Sequence, residues 1–342
     1  MSTSIATLKE QYTQLKNENP KMRIREIAKQ LNASEAQLIA TQIGENVTRL
    51  KDEPQAILAE IISLGKVMAL TRNDDAVHER KGIYDNLTFH GPVGTFVNED
   101  IDLRLFMMHW AFGFAVNEND RHSIQFFDKS GDAVHKIYMT EDSNIDAFHN
   151  LVNKYAVTDA SNEIEVISYP AKAVEQEDNN IDIASFQEDW KQLKDTHDFF
   201  GLLQKHKVTR TQALRLAPEG LTKQLSNDAT RNVVTMAAER QVPIMVFIGN
   251  RGCIQIHTGT VNKLMDAGPW FNVLDPDFNM HLNETKIHSS WLVIKPSTDG
   301  PIHAIEVYDE KGEMIVQLFG KRKPGIPELE EWRSIVADIS SN

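Results

Sequence analysis

The chain runs through the same change of hydrophobic rhythm twice. Leu8 to Leu15 carries apolar residues at helical spacing and stops over Asn17 to Pro20, where proline removes a donor and clashes with the preceding turn. Ile24 to Leu31 and Glu35 to Ala40 read as two short helices joined through Asn32-Ala33-Ser34, with Ser34 as the N-cap. The period then falls to two or to short apolar runs. Gly65 to Leu70, Gly94 to Val97, Leu103 to Phe106, Ala111 to Val116, Ser123 to Phe127 and Ala133 to Tyr138 read as strands on a meander. Asp128-Lys129-Ser130-Gly131-Asp132 is a hairpin turn in which glycine supplies positive φ.

Between Lys172 and Asp182 the chain is acidic, polar and without period, which reads as an exposed linker. Beyond it, helices are expected from Ile183 to about Leu225 and from Asn232 to Glu239, with Thr209 capping a repeat of the short helix pair. Strands are expected at Pro243 to Ile248, Cys253 to Thr258, Trp270 to Leu274, Asn279 to Leu282, Ser290 to Lys295, Ile302 to Asp309 and Met314 to Phe319. A last helix spans Glu328 to Ile339. Residues 123–139 align without a gap on 304–320, an offset of 181 that Trp110 and Trp291 share. Leu15 and Leu193 differ by 178, and Gly82 and Gly259 by 177. So small a drift over a whole half predicts a duplicated α+β domain, each copy an antiparallel sheet with a helical layer, over 1–175 and 183–342.

Composition narrows the function classes. The 342 residues are 41% hydrophobic and 25% charged, a globular mixture sufficient for two cores. A net charge of −13 repels nucleic-acid phosphates, and Glu35 to Ala40 offers no lysine or arginine to base edges, so a DNA-reading helix pair is not expected. The first ten residues lack the apolar core of a signal peptide, which points to the cytoplasm. The longest nearly apolar run, Leu105 to Val116, is far short of the ~20 residues that span a bilayer, so the chain is not expected to be membrane-embedded. Cys253, the one cysteine, excludes an intrachain disulfide and a thiolate metal cluster.

One histidine stands apart. Phe186, Trp190, Leu193, His197 and Phe200 recur at helical spacing, which predicts a continuous helix with His197 on its apolar face. An inward imidazole must bond a buried partner or bind a metal. In the first copy Asn19 and Pro20 stand opposite His197 and Asp198, so one copy alone carries the candidate ligand. The other histidines show no compact zinc spacing; His90 and His109 fall near the first copy's strands. Neither a dinucleotide fingerprint nor a P-loop occurs.

Four motifs together carry a resemblance: Asp195-Thr196-His197-Asp198-Phe199-Phe200, Arg210 to Ala217, Trp270-Phe271-Asn272-Val273-Leu274-Asp275-Pro276 and Asp102-Leu103-Arg104-Leu105-Phe106. With its length and duplicated halves, the chain resembles the cytoplasmic haem-binding and haem-degrading proteins of the HemS/ChuS/ShuS/PhuS type. The resemblance implies haem bound between the second half's sheet and its helices, as both ligand and substrate, with an external electron donor opening the ring to release iron. A carrier that hands haem on without chemistry is the alternative. It implies His197 as the axial iron ligand and Arg104, with Phe106 on the same strand face, approaching from the other side. Arg210, Lys295 and Arg322 would pair with the propionates. Met245 and Phe247 would line the porphyrin plane. The implied protein partners are an inner-membrane haem importer or a reductase, with a homodimer allowed.

Overall fold

The computed structural model describes residues 5–172, 174–323 and 325–341. The first half folds as α1 (Ile5–Glu18), α2 (Ile24–Gln30), α3 (Glu35–Ala40), β1 (Val47–Leu50), α4 (Pro54–Glu60), β2 (Gly65–Arg72), β3 (Ala76–Ile83), β4 (Leu87–His90), β5 (Val93–Val97), β6 (Asp102–Phe106), β7 (Phe112–Glu118), β8 (Arg121–Phe127), β9 (Ala133–Ser143) and α5 (Ile145–Tyr155). The second folds as α6 (Ile183–Lys191), α7 (Asp198–His206), α8 (Arg210–Leu216), β10 (Thr222–Leu225), α9 (Ala229–Arg240), β11 (Ile244–Gly249), β12 (Cys253–Gly259), β13 (Leu264–Ala267), β14 (Trp270–Leu274), β15 (Phe278–Asn283), β16 (Ser289–Lys295), β17 (Ile302–Tyr308), β18 (Met314–Gly320) and α10 (Glu330–Ser340).

The chain divides into two compact units that do not follow the halves strictly. The first comprises residues up to Arg72, Glu79–Pro170 and Gly249–Gln255; the second takes Asn73–His78 and the rest from Ala171. In the first unit antiparallel strands run in the order β1-β7-β8-β9-β2, and in the second β10-β16-β17-β18-β11. Each half is the expected antiparallel sheet with packed helices, and the helices lie on both of its faces. In the first unit α4 and α5 pack on Ala69, Ile124 and Ile137, while α3 packs on Phe114, Val116 and Phe127. In the second, α9 and α10 cover Ile244, Val246, Val307 and Leu318, while α6, α7 and α8 cover Val293 and Tyr308.

The duplication is visible in small structural details. Asp128 Oδ1 accepts from the backbone N–H of Ser130 and Asp132, and Asp309 Oδ1 from those of Lys311 and Glu313. Gly131 (φ 83°) and Gly312 (φ 72°) close the same turn, and the ladder slips at Phe126/Phe127 and at Val307/Tyr308 alike. The short helix pair also repeats: Asn32 and Lys207 take left-handed φ, and Ser34 and Thr209 cap α3 and α8 by accepting from Gln37 and Gln212. These anchors correct two pairings. Phe114 faces Gln125 as Trp291 faces Glu306, so the counterpart of Trp291 is Phe114 and not Trp110. Counting back from the caps, the counterpart of His197 is Met22 rather than Asn19, which still leaves the imidazole to one copy.

Candidate functional site

The expected single helix through His197 does not form. α6 ends at Lys191, residues 192–197 turn, and α7 begins at Asp198 with His197 as its N-cap. The cause is local: the Asp195 carboxylate accepts from the backbone N–H of His197 at 2.8 Å, an Asx turn that competes with helical bonding. Asp198 in turn accepts from the backbone N–H of Asp195 at 3.1 Å. His197 therefore points outward, its side chain 89% exposed, and Phe200 is exposed too. The same carboxylate lies 2.5 Å from His197 Nδ1, which fixes the ring and leaves Nε2 without a partner among the described residues. The hydrogen bond from the His197 backbone holds the Asp195 carboxyl below its ordinary range against partial burial, and the positive charge of Arg322 adds to this. An imidazole braced at one nitrogen by a carboxylate and open at the other is the arrangement metal-ligating histidines take.

Behind this turn lies one face of the second unit's sheet. Cross-strand neighbours place Lys295 beside Ile302, Val293 beside Ala304, Ala304 beside Phe319 and Phe319 beside Met245; Trp291, Glu306, Gln317 and Phe247 form the next row. Helices α7 and α8 cover the β16 and β17 side. Met245 and Phe247, partly exposed, pack with Ile302, Ala304 and Phe319, and the rings of Phe247 and Phe319 meet edge to face at 5.1 Å. A half-buried Arg322 lies two residues past the end of β18. His197, Arg322, Met245 and Phe247 thus belong to one unit, as an exposed imidazole, a cation and an apolar strip.

Arg210 and Lys295, which the resemblance implies as propionate partners, share a third residue. Both are bonded to Glu306, which is fully buried: Arg210 Nε and Nη2 donate to its two oxygens at 2.9 and 2.7 Å, and Lys295 Nζ donates at 2.7 Å. Gln317 donates to the same carboxylate at 2.6 Å, and the Tyr308 hydroxyl also donates to it. Burial pushes the Glu306 carboxyl up, yet Arg210 and Lys295 hold it well below the usual carboxylate range. Burial lowers Lys295 to about 8 although Glu306 opposes the shift. Arg210 Cζ and Lys295 Nζ lie 5.1 and 4.4 Å from the centroid of the Phe199 ring, so the cluster holds α7, two residues beyond His197, on the sheet. Glu306 is the partner that sequence reading missed; a lone glutamate in the apolar run Ile302–Tyr308 was the signal for it.

The first copy inverts this cluster. Glu35 stands one residue after its cap, where Arg210 stands after Thr209, and is bonded by Lys136 and Arg72. Gln125 takes the register position of Glu306, and Lys136 that of Gln317. Arg104 and Phe106 also lie in the first unit, on one face of β6, with Arg104 paired to Asp102. His109 shares a 3.2 Å contact with the Tyr169 hydroxyl, and His90 is exposed at the end of β4. Among the described residues no cluster of three or more histidine, cysteine or acidic side chains is placed to hold a bare metal ion, and no helix is long and apolar enough to cross a membrane.

The family described as the haemin-degrading HemS.ChuX domain matches the chain twice, over residues 32–155 and 207–339. The hemin transport protein HmuS of Yersinia pestis is 38% identical over 98% of this chain and 97% of its own length. Holo-PhuS, a heme-binding protein from Pseudomonas aeruginosa, is 44% identical with a TM-score of 0.96, covering 98% of this chain and 99% of that one. The heme degrading enzyme ChuS of Escherichia coli O157:H7 is 34% identical with a TM-score of 0.91 over 98% of this chain and 99% of that one. With the duplicated fold and the braced, outward histidine already in place, these matches make the chain a member of the HemS family of haem-binding, hemin-utilisation proteins.

Proposed function

We propose that the protein takes up haem in the cytoplasm on its second unit, with His197 Nε2 as the axial iron ligand, and opens the ring with electrons from an external donor. The observation that carries this reading is the Asp195–His197 pair. A carboxylate accepting from Nδ1–H fixes the tautomer in which Nε2 offers its lone pair. The partly exposed Met245 and Phe247, packed on the buried Phe319, suit an apolar macrocycle, and Arg322 suits a propionate. The iron and macrocycle, when bound, supply the redox chemistry; the chain's own residues bind and orient. Arg104 enters through the family resemblance, as the residue that assists ring opening. The test is whether the Soret absorption of the loaded protein is lost on adding reductant with catalase present, with and without oxygen. Ring opening predicts loss under oxygen with catalase; a band that persists in both conditions overturns the enzymatic part.

A specific observation favours a carrier as the second reading. His197 is almost wholly exposed, and a ligand bound through so open an imidazole can exchange with an acceptor protein such as a reductase-coupled enzyme or an importer at the inner membrane. Transfer of haem to apomyoglobin faster than ring loss would favour it.

A further inference from the structure

Arg104 does not hang freely from its strand. Residues alternate along β6, so Leu103 and Leu105 are buried while Asp102, Arg104 and Phe106 share the opposite, partly exposed face. On that face the Asp102 carboxylate accepts from Arg104 Nη1, and the Leu103 carbonyl accepts from the same nitrogen at 3.2 Å. Two acceptors thus hold one corner of the guanidinium. Its Nε and Nη2 have no partner among the described residues, and the side chain is 33% exposed, so those donors remain available to a ligand.

Burial disfavours a carboxylate where Asp102 stands. Its side chain is 17% exposed, and burial pushes the carboxyl up while Arg104 opposes the rise. The residues across the ladder, Val97 from Asp102 and Thr95 from Arg104, carry no charge. Among the described residues Arg104 is therefore the cation bonded to Asp102, and Asp102 the anion bonded to Arg104. A partly exposed ion pair adds little to stability. It does restrict a long side chain that otherwise samples many rotamers, so what the carboxylate supplies is direction.

We propose that Asp102 is the positioning residue for Arg104, its carboxylate holding Nη1 so that Nε and Nη2 stay free to donate to the haem's ligand. This rests on the reading that Arg104 approaches the haem from the side opposite His197. Both side chains then have the same device, an aspartate two residues earlier in the chain: Asp195 on His197 and Asp102 on Arg104. Donors fixed in advance need no reorganisation when charge develops beside them.

The full-length, haem-loaded chain is compared as its ferrous carbon monoxide complex, whose C–O stretch responds to positive donors beside the bound gas. Arg104→Ala moves the stretch upward, because such a donor is lost. Asp102→Ala leaves the guanidinium unheld, so the band broadens and its centre moves toward the Arg104→Ala position. Asp102→Asn, which keeps the shape of the side chain and its fold, moves the band the same way by less. The double variant Asp102→Ala with Arg104→Ala coincides with Arg104→Ala alone, because Asp102 acts through Arg104. The iron–imidazole stretch of the ferrous, gas-free protein is unchanged throughout. A wild-type band in both Asp102 variants, when Arg104→Ala shifts it, overturns the proposal and leaves Arg104 at the haem. A band that Arg104→Ala does not move overturns it together with that placement of Arg104. A double variant displaced beyond Arg104→Ala, or an altered iron–imidazole stretch in both Asp102 variants, also overturns it, since Asp102 would then act on the pocket by itself.

Discussion

Asp195 Oδ1 lies 2.5 Å from His197 Nδ1 and also accepts the His197 backbone N–H at 2.8 Å, so one carboxylate both ends the helix and sets the ring. Asp195→Asn keeps an acceptor but removes the charge. The expected result is a haem affinity about 10-fold lower, in line with losses at outer-shell partners of ligating histidines, together with a weaker iron–imidazole bond. Haemin titration with resonance Raman of the ferrous complex reads both. An unchanged iron–histidine stretch would show that Asp195 serves the turn alone.

Glu306 holds two cations in the second unit's interior, so removing it leaves both without their anion. Glu306→Leu is expected to cost roughly 3–5 kcal/mol of stability, as breaking a buried pair by deleting one partner does. Urea denaturation checks it. Arg210→Met with Glu306→Gln, which removes charge from both sides, should recover part of the loss, and no recovery would show that the cluster acts through packing alone.

Glu35 provides a pH test in the first unit. Burial pushes its carboxyl up, but Lys136 and Arg72 outweigh this and bring it down to about 2 from 4.5. A carboxyl depressed on folding contributes stability that is full above the unfolded value and is lost as pH falls through the folded one. The protein should therefore lose a few kcal/mol from Glu35 between about pH 4.5 and pH 2. Glu35→Gln should be less stable near neutrality and flatter over that window when unfolding is followed by fluorescence. An equal slope in both proteins would count against the pairing.

Arg104 is tested by separating binding from turnover. Arg104→Ala should leave haem affinity within a few-fold while slowing ring opening by roughly 10-fold or more, as loss of one donor to developing negative charge does. Burial raises the Asp102 carboxyl and Arg104 opposes that shift, so the variant's Asp102 should take up a proton more readily, with a small effect on unfolding. A wild-type rate would remove Arg104 from the chemistry.

Much of the fold was legible because it rests on local rules. Ser34 and Thr209 cap their helices as hydroxyl residues before an apolar run do, and the Asp128 and Asp309 turns follow from one side chain binding two amides. What failed was also local. β10, Thr222–Leu225, and β3, Ala76–Ile83, carry too much charge and too little alternation to read as strands. The helical spacing around His197 was real, but Asp195 captured the backbone first. Register was out of reach altogether. Only the ladder shows that Phe114 matches Trp291, and that Gly249–Gln255 belongs with the first unit, where Cys253 is buried and Asn250 Nδ2 donates to the carbonyls of Arg72 and Val134. An isolated second half would lack Asn73–His78, whose Asn73 Nδ2 donates to the Ile315 carbonyl, so cutting the chain at the linker removes a piece of each unit.

The central claim is iron ligation by His197, and haemin titration of His197→Ala tests it most directly, read by absorbance and by the ferrous iron–imidazole stretch. The account predicts that the variant folds normally, because the side chain is exposed, loses the histidine-ligated spectrum, binds haem at least about 10-fold more weakly, and regains the spectrum when free imidazole is added. Wild-type affinity and an unaltered ligand-field spectrum in His197→Ala would contradict it.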